Sequence, residues 1–366
     1  MNHNGAIGIA EVGSEEAFEI KVPASVANLG PGFDTLAVAV QLYLCLRVRR
    51  KPGRGKLEFR FVGQELCGEN YVERAFRFLA RQNPGSFASL SVEVHSEIPM
   101  RAGLGSSAAA TVAGLRLYEA IAGPLPKQAM LNAACALEAH PDNASAALLG
   151  GLTTSCQLPD GSVYAARFRW PESLRFVIAT PDIALTTAES RQVLPDYIPR
   201  KDAVFNLQRV ALLLHSLQSG DFALLKQALR DRWHQPFRQS LVPGLEPALN
   251  LDHQDLLGTC LSGSGPSIVA LAENNLEAVA KLLASVYEPL GINYRLRTLR
   301  VHQPAVDNPG KKISGPELVY SAPAAVDRDF PQRASSADLG TRSHRLFHGR
   351  NAERGLRPGQ RSTKAE

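Results

Sequence analysis

The sequence predicts an α+β protein built in two parts, and three observations carry that prediction. Segments with strand alternation and segments with helical spacing mix along the chain. A length of 366 residues, 45% hydrophobic and 20% charged, can bury a large core and suits two domains better than one. The texture changes near Trp170-Pro171. Beyond it the order strand, helices, strand, glycine turn, strand, helix, strand suggests helices on one side of an antiparallel sheet.

Taken in order, residues 1–17 are small and polar and read as a flexible leader. "FEIKVPASVANLG" (18–30) carries the first strand signal. In "AVAVQLYLCLRVRR" (37–50), Val38, Val40, Leu42, Leu44, Leu46 and Val48 fall on one face, with Gln41, Tyr43, Arg47 and Arg49 on the other, the pattern of a half-buried antiparallel strand. "YVERAFRFLARQ" (71–82) has helical spacing, and "SLSVEVHSEIP" (89–99) is a strand ended by Pro99. A mostly buried helix starts at Ser106 or Ser107, runs through Ile121 and stops at Gly123-Pro124. A helix over 126–139 follows, then strands near 151–157 and 162–169. The second part has a buried strand "LRFVIATP" (174–181), helices over 202–219 and 221–232, strand–turn–strand in "LLGTCLSGSGPSIVALAE" (256–273), a helix in "NLEAVAKLLASVYEPL" (275–290) and a strand in "NYRLRTLRVH" (293–302). Residues 303–366 lose all apolar period and read as a disordered basic tail.

Composition narrows the function classes. No stretch reaches the roughly 18 apolar residues of a membrane span, and no early apolar run follows a basic segment, so a cytoplasmic protein without a membrane partner is expected. Five scattered cysteines, Cys45, Cys67, Cys135, Cys156 and Cys260, lack the close pairs of zinc sites or disulfide frameworks and read as free thiols. The formal charge of +5 is concentrated in residues 303–366, which hold 11 Lys and Arg against 7 Asp and Glu. The remainder is nearly neutral, and no nucleic-acid partner is expected for it.

Four stretches can carry chemistry. In "EIPMRAGLGSSAAATVAGL" (97–115), the first amides of a helix and its dipole favour an anion by about 0.3–1 kcal/mol, glycines allow close backbone approach, and serine hydroxyls can bond phosphate or Mg²⁺. The lysine of GxxxxGK[ST] is missing, which excludes a P-loop NTPase. "LEAHPDN" (137–143) groups Glu138, His140, Asp142 and Asn143, where a carboxylate at a helix end could serve a metal that bridges phosphates. "CLSGSGPSIVAL" (260–271) joins two apolar strands through exposed amides, and "PASVANLGPGFD" (23–34) sets Asn28 and Asp34 around a Gly-Pro-Gly loop. Each has an ordinary alternative when taken alone: a capped helix, a turn with a structural histidine, or a hairpin turn.

Together, taken in chain order, they resemble the GHMP small-molecule kinases, and among them the homoserine kinases. "PASVANLGPGFDTLAVAV" (23–40), "IPMRAGLGSSAA" (98–109) and "LSGSGPSIVAL" (261–271) match the three superfamily motifs. "EAHPDNASAALLGGL" (138–152), "TTAESRQVLP" (186–195) and "QPFRQSLVPGL" (235–245) match the homoserine kinases in particular, and the resemblance covers about Phe18 to His302. It implies a two-domain fold: an ATP-binding, ribosomal-S5-domain-2-like N-terminal domain over 18–170 and a ferredoxin-like domain over 171–302. It also implies a homodimer, and ATP-Mg²⁺ phosphorylation of L-homoserine on the way to threonine.

The same resemblance assigns the sites. The phosphate loop would comprise Pro99, Met100, Arg101, Ala102, Gly103, Leu104, Gly105, Ser106, Ser107, Ala108 and Ala109, with Ser106 or Ser107 and Glu138 on Mg²⁺. Asp34 would take the substrate ammonium, and Arg191 and Arg238 its carboxylate, where a planar fork bonds two oxygens. Asn28, His140, Asn143 and Thr187 would line the hydroxyl end, so that Asn143, His140 and Arg238 stand at the reacting centre with no dedicated base assigned. Ser262, Gly263, Ser264 and Gly265 of the third motif would approach nucleotide and substrate. Arg101 departs from the small residue usual in this loop and is expected to face solvent. Two rival readings remain: a GHMP kinase for another small alcohol, and a GHMP-fold binding protein without turnover.

Overall fold

One long strand organises the first sheet of the computed structural model, which describes residues 17–63, 68–83, 85, 87–138, 140–304 and the backbone of 317–318. All of these lie in one compact unit, Met1–Ser321. Strand β2 (Leu36–Arg54) pairs antiparallel with β1 (Ala17–Ala27), with β4 (Ala88–Ser96) through its later residues, and with β5 (Leu152–Gln157) through Leu36–Val38. β3 (Leu57–Val62) runs parallel to β4, β6 (Val163–Phe168) pairs with β5, and β11 (Glu317–Leu318) pairs with β6. The expected alternation in β2 holds: Val38, Val40, Leu42, Leu44, Leu46 and Val48 are buried while Gln41, Arg47 and Arg49 are exposed. The start of the strand is buried on both faces, because Ala37 and Ala39 cluster with Ala27 and with Ala146 of a helix the sequence did not disclose.

Helices cover this sheet. α1 (Tyr71–Gln82) buries Val72, Ala75, Phe76 and Leu79, the spacing of one helical face, and is capped by Asn70, whose side chain accepts from the Glu73 amide at 3.2 Å. α2 (Ser106–Ala122) and α3 (Lys127–Glu138) fall where the sequence placed them. α4 (Pro141–Leu149) stands where the sequence offered only a turn before a strand. Eight of its nine residues are buried, so it has no polar face and no helical period to detect. Its first residue is Pro141, a position where the missing amide proton is not needed.

The second sheet has the order β10-β7-β9-β8, antiparallel throughout, from β7 (Arg175–Pro181), β8 (Gly258–Leu261), β9 (Ile268–Ala272) and β10 (Tyr294–Leu299). Between β7 and β8 come α5 (Thr187–Gln192), α6 (Arg200–Ser219), α7 (Leu225–Ala228), α8 (Gln235–Arg238) and α9 (Leu245–Leu249), and α10 (Leu276–Ala284) links β9 to β10. The expectation of helices on one side is incomplete. Val177, Ala179, Ile268 and Ala270 form a small core with Leu245 of α9 and Val279 and Leu283 of α10, whereas Phe176, Ile178, Val269 and Leu271 join the main core with Leu213 and Leu217 of α6.

Other boundaries also shift. The helix expected over 221–232 shrinks to Leu225–Ala228, since the buried Asp231 carboxylate binds the amides of Trp233, His234 and Gln235 at 2.7–2.9 Å and turns the chain. The leader ends one residue sooner than expected, because Ala17 pairs with Arg49, and residues 1–16 lie outside the described residues. The expected tail start at 303 also moves: the Gln303 side chain brackets the backbone of Trp170 at 3.0 and 3.1 Å, and Glu317–Leu318 form β11. Residues 305–316 and 319–366 lie outside the described residues, as does Cys67. The other four cysteines are free thiols, and no described helix is long and apolar enough to cross a membrane.

Candidate active site

A cleft of about 860 Å³ brings the sequence-predicted stretches together. Its centre is the start of α2. Gly105, at φ 68°, precedes the helix without any side-chain cap, and the first intrahelical bond is the one Ala109 donates to Gly105 at 2.9 Å. The amides before Ala109 are therefore left for an external acceptor. Gly103, at φ 73°, would put a Cβ inside contact distance of the Ser262 carbonyl oxygen, and Gly105 would put one on Ser25 Oγ. Only glycine lets this loop lie against the third motif on one side and β1 on the other.

The third motif is bound tightly to that loop. Ser262 Oγ donates to the Gly103 carbonyl at 2.6 Å, and the Ser267 amide donates to Ala102 at 3.2 Å. Gly263 donates its amide to Ala27 at 3.1 Å, and its carbonyl accepts from Asn28 Nδ2 and from Arg238 Nη1, each at 3.0 Å. Gly263 and Ser264 line the cleft, whereas Pro99, Ala108, Ala109, Ser262 and Gly265 do not. Met100 and Arg101 are exposed residues of its wall, with Arg101 at φ 54°.

An oxygen-rich corner forms where α2 meets the end of α3. Ser107 Oγ donates to Glu138 at 2.7 Å, Thr111 Oγ1 donates to its other oxygen, and Arg74 Nη2 lies 3.6 Å from that same oxygen. Ser106 lines the cleft beside them. Among the described residues no cluster of three or more His, Cys, Asp or Glu could hold a metal, and the oxygens of Ser107 and Glu138 are what this corner could offer a cation.

A charged corner forms around Phe33. Arg191 Nη2 pairs with Asp34 at 2.6 Å and stands 3.2 Å from His140 Nδ1, so the groups assigned by resemblance to opposite ends of a substrate meet each other. Arg238 is buried. Its Nε donates to the Ser190 carbonyl at 3.0 Å, and burial, with the like charge of Arg191, pulls its pKa down to about 10. The Arg191 and Arg238 guanidinium carbons lie 5.2 and 5.4 Å from the centre of the Phe33 ring. Asn28, at φ 72°, is committed: besides its bond to Gly263, its Oδ1 accepts from the Asp34 amide at 3.1 Å. Thr187 is exposed at the start of α5, which Thr186 and Glu189 close with a capping box.

Between the two corners, Asn143 Oδ1 accepts from Ser25 Oγ at 2.7 Å. Asn143 donates its amide to Asp142 Oδ1 at 2.6 Å and its Nδ2 to the same oxygen at 3.3 Å. Asp142 lines the cleft yet is almost wholly buried, and desolvation pushes its carboxyl up to about 7, assisted by the Asp34 charge and opposed by Asn143 and Arg191. Sequence reasoning gave Asp142 no role, although it stood inside the quoted "LEAHPDN". It also left out Ser25, Phe33 and the apolar lining residues Leu44, Phe61, Tyr71 and Val94.

The family model of the GHMP kinases N terminal domain matches residues 70–151, and that of the GHMP kinases C terminal matches residues 213–290. The chain is 40% identical over 281 residues to the homoserine kinase of Solibacter usitatus, covering 75% of this chain and 91% of that protein. It is 34% identical over 333 residues to the homoserine kinase of Schizosaccharomyces pombe, covering 80% and 98%. In fold it is similar to the crystal structure of homoserine kinase from Cytophaga hutchinsonii, with a TM-score of 0.71 at 24% identity over 85% of this chain and all of that one. With both GHMP kinase domains present and relatives matched over nearly their whole length, the chain belongs to the homoserine kinase family.

Proposed function

We propose that the chain transfers the γ-phosphoryl group of ATP to the side-chain hydroxyl of L-homoserine, releasing ADP and O-phospho-L-homoserine toward threonine. The observation that carries this reading is that an uncapped helix start and a charged pocket of both signs line the same cleft. The amides of the loop and first turn of α2 take the phosphates, and the apolar wall of Leu44, Phe61, Tyr71 and Val94 suits a purine base.

The donors at the Ser107–Glu138 corner are all oxygen, which suits Mg²⁺, an ion bound through one or two carboxylates plus substrate phosphates. Ser107 and Glu138, with Ser106 alongside, would hold the ion, which would supply charge neutralisation to the phosphates. Asp34 takes the ammonium, while Arg191 and Arg238 take the carboxylate. The zwitterion thereby exchanges one Asp34–Arg191 pair for two pairs of its own. Such a pocket rejects an alcohol that lacks either charge, because its own charges would stay uncompensated. Asn28 acts by holding Asp34, whereas Asn143, His140 and Thr187 orient the hydroxyl end. Phosphoryl transfer through a loose transition state depends mostly on positioning and charge stabilisation, so no residue is assigned as base.

The same reading divides the chain near residue 170, where successive strands change sheet between β6 and β7. On the resemblance, it makes the protein a cytoplasmic homodimer without nucleic-acid or membrane partners, a state that sedimentation checks. A coupled assay of ADP release from ATP-Mg²⁺ tests the function. L-homoserine should support turnover where mevalonate and galactose do not. Preference for another alcohol, or tight ATP binding without product, would overturn the proposal.

A further inference from the structure

We propose that His234 is a positioning residue for the amino-acid site, a neutral imidazole with its proton on Nε2 that fixes both the Arg238 guanidinium and the loop leading to Asp34. The inference rests on the reading of Arg238 as the carboxylate grip. His234 is fully buried one turn before Arg238, and it lies just outside the motif quoted from the sequence.

Its two ring nitrogens face groups of fixed chemistry. Nε2 lies 2.8 Å from the Gly30 carbonyl oxygen, which can only accept, and Nδ1 lies 3.1 Å from Arg238 Nη1, which can only donate. One arrangement satisfies both: Nε2 donates and Nδ1 accepts. An imidazolium would set an N–H against the guanidinium with no acceptor between them, in a site closed to water. Burial and the Arg238 charge disfavour that charged form, against the opposing charges of Asp231, at 3.6 Å, and Asp34.

The imidazole is held in turn from several sides. Asp231 accepts its backbone amide at 2.9 Å and accepts from Asn206 Nδ2 at 2.6 Å, and Phe33 stacks on the ring with centroids 5.3 Å apart. Asn206 also donates to the Pro31 carbonyl at 3.3 Å, so His234 and Asn206 tie down adjacent carbonyls of the Gly30–Phe33 loop. Arg238 is thus fixed by three acceptors on three segments, Ser190, Gly263 and His234.

Two variants separate the contacts. His234→Gln can keep a donor near Gly30 but loses the acceptor for Arg238, whereas His234→Asn can return an acceptor near the Nδ1 position. The Gln variant should raise the KM for L-homoserine roughly tenfold with the KM for ATP unchanged, the loss of about one hydrogen bond to a charged group, and the Asn variant should recover most of it. Nitrogen-15 spectra of the histidine-labelled full chain should show His234 as the Nε2–H tautomer, untitrated from about pH 6 to about pH 8. The inference is overturned if His234 titrates there or carries its proton on Nδ1, or if the Gln variant leaves the homoserine KM unchanged while Arg238→Ala raises it. If Arg238→Ala itself leaves that KM unchanged, the carboxylate-grip reading fails instead.

Discussion

The buried carboxyl of Asp142 makes stability depend on pH in a way that one substitution should remove. Its pKa stands at about 7 in the folded protein, against 3.8 in an exposed chain. Between those values the folded protein keeps a proton that the unfolded chain has released, so stability falls as pH rises from about 4 to about 7. At about 1.4 kcal/mol per pKa unit, this group destabilises the fold by roughly 4 kcal/mol above pH 7, of which about 2–3 kcal/mol develops between pH 5 and pH 8. Asp142→Asn keeps an oxygen to accept the Asn143 amide but never ionises. Urea unfolding of both proteins at pH 5 and pH 8 measures the difference, with the titrating groups that do not interact with Asp142 cancelling between them. The variant should gain at least about 2 kcal/mol relative to the parent over that interval. Stability curves that stay parallel would show that Asp142 ionises normally and that the site is wetter than its burial implies.

Other perturbations address the remaining parts of the site. Glu138→Gln should raise the Mg²⁺ concentration for half-maximal rate by at least roughly tenfold, as a Mg²⁺ titration at saturating substrates reads directly. Gly103→Ala drives a Cβ against the Ser262 carbonyl at a positive φ and should destabilise the fold by about 1–3 kcal/mol while abolishing thermal stabilisation by ATP. Burial pushes the thiols of Cys135 and Cys260 up to about 12 and helps push Cys45 up to about 11, whereas Cys156 is exposed. Brief iodoacetamide treatment near neutral pH, followed by mass spectrometry, should therefore find Cys156 alkylated before the other three.

Much of the fold was legible because its elements keep one wet face. β2 alternates over six buried positions, and α1 spaces its buried residues at 72, 75, 76 and 79, so period alone located both. α4 escaped because it is buried almost all round, and the helix expected over 221–232 failed because the Asp231 carboxylate binds amides two to four residues ahead, a local turn signal that helical spacing alone does not register. β3 could have been found: "LEFRFV" alternates, with Glu58 and Arg60 exposed.

The side of the site proposed to take phosphates lies in one stretch of glycines and serines. The pairings that shape the other side join residues 118 and 157 positions apart, Ser25 with Asn143 and Asp34 with Arg191. His234 likewise joins Gly30, 204 positions earlier, to Arg238 at the end of the short helix it precedes. A sequence can supply such groups, but only the folded chain pairs them.

The most direct test compares kcat/KM for L-homoserine with that for 4-hydroxybutyrate, which keeps the hydroxyl and the carboxylate but lacks the ammonium. With Asp34 and Arg191 set as a complementary pair, the analogue leaves Asp34 unanswered and should be slower by roughly 10³-fold or more. Comparable values for the two substrates would contradict a pocket built around a zwitterion.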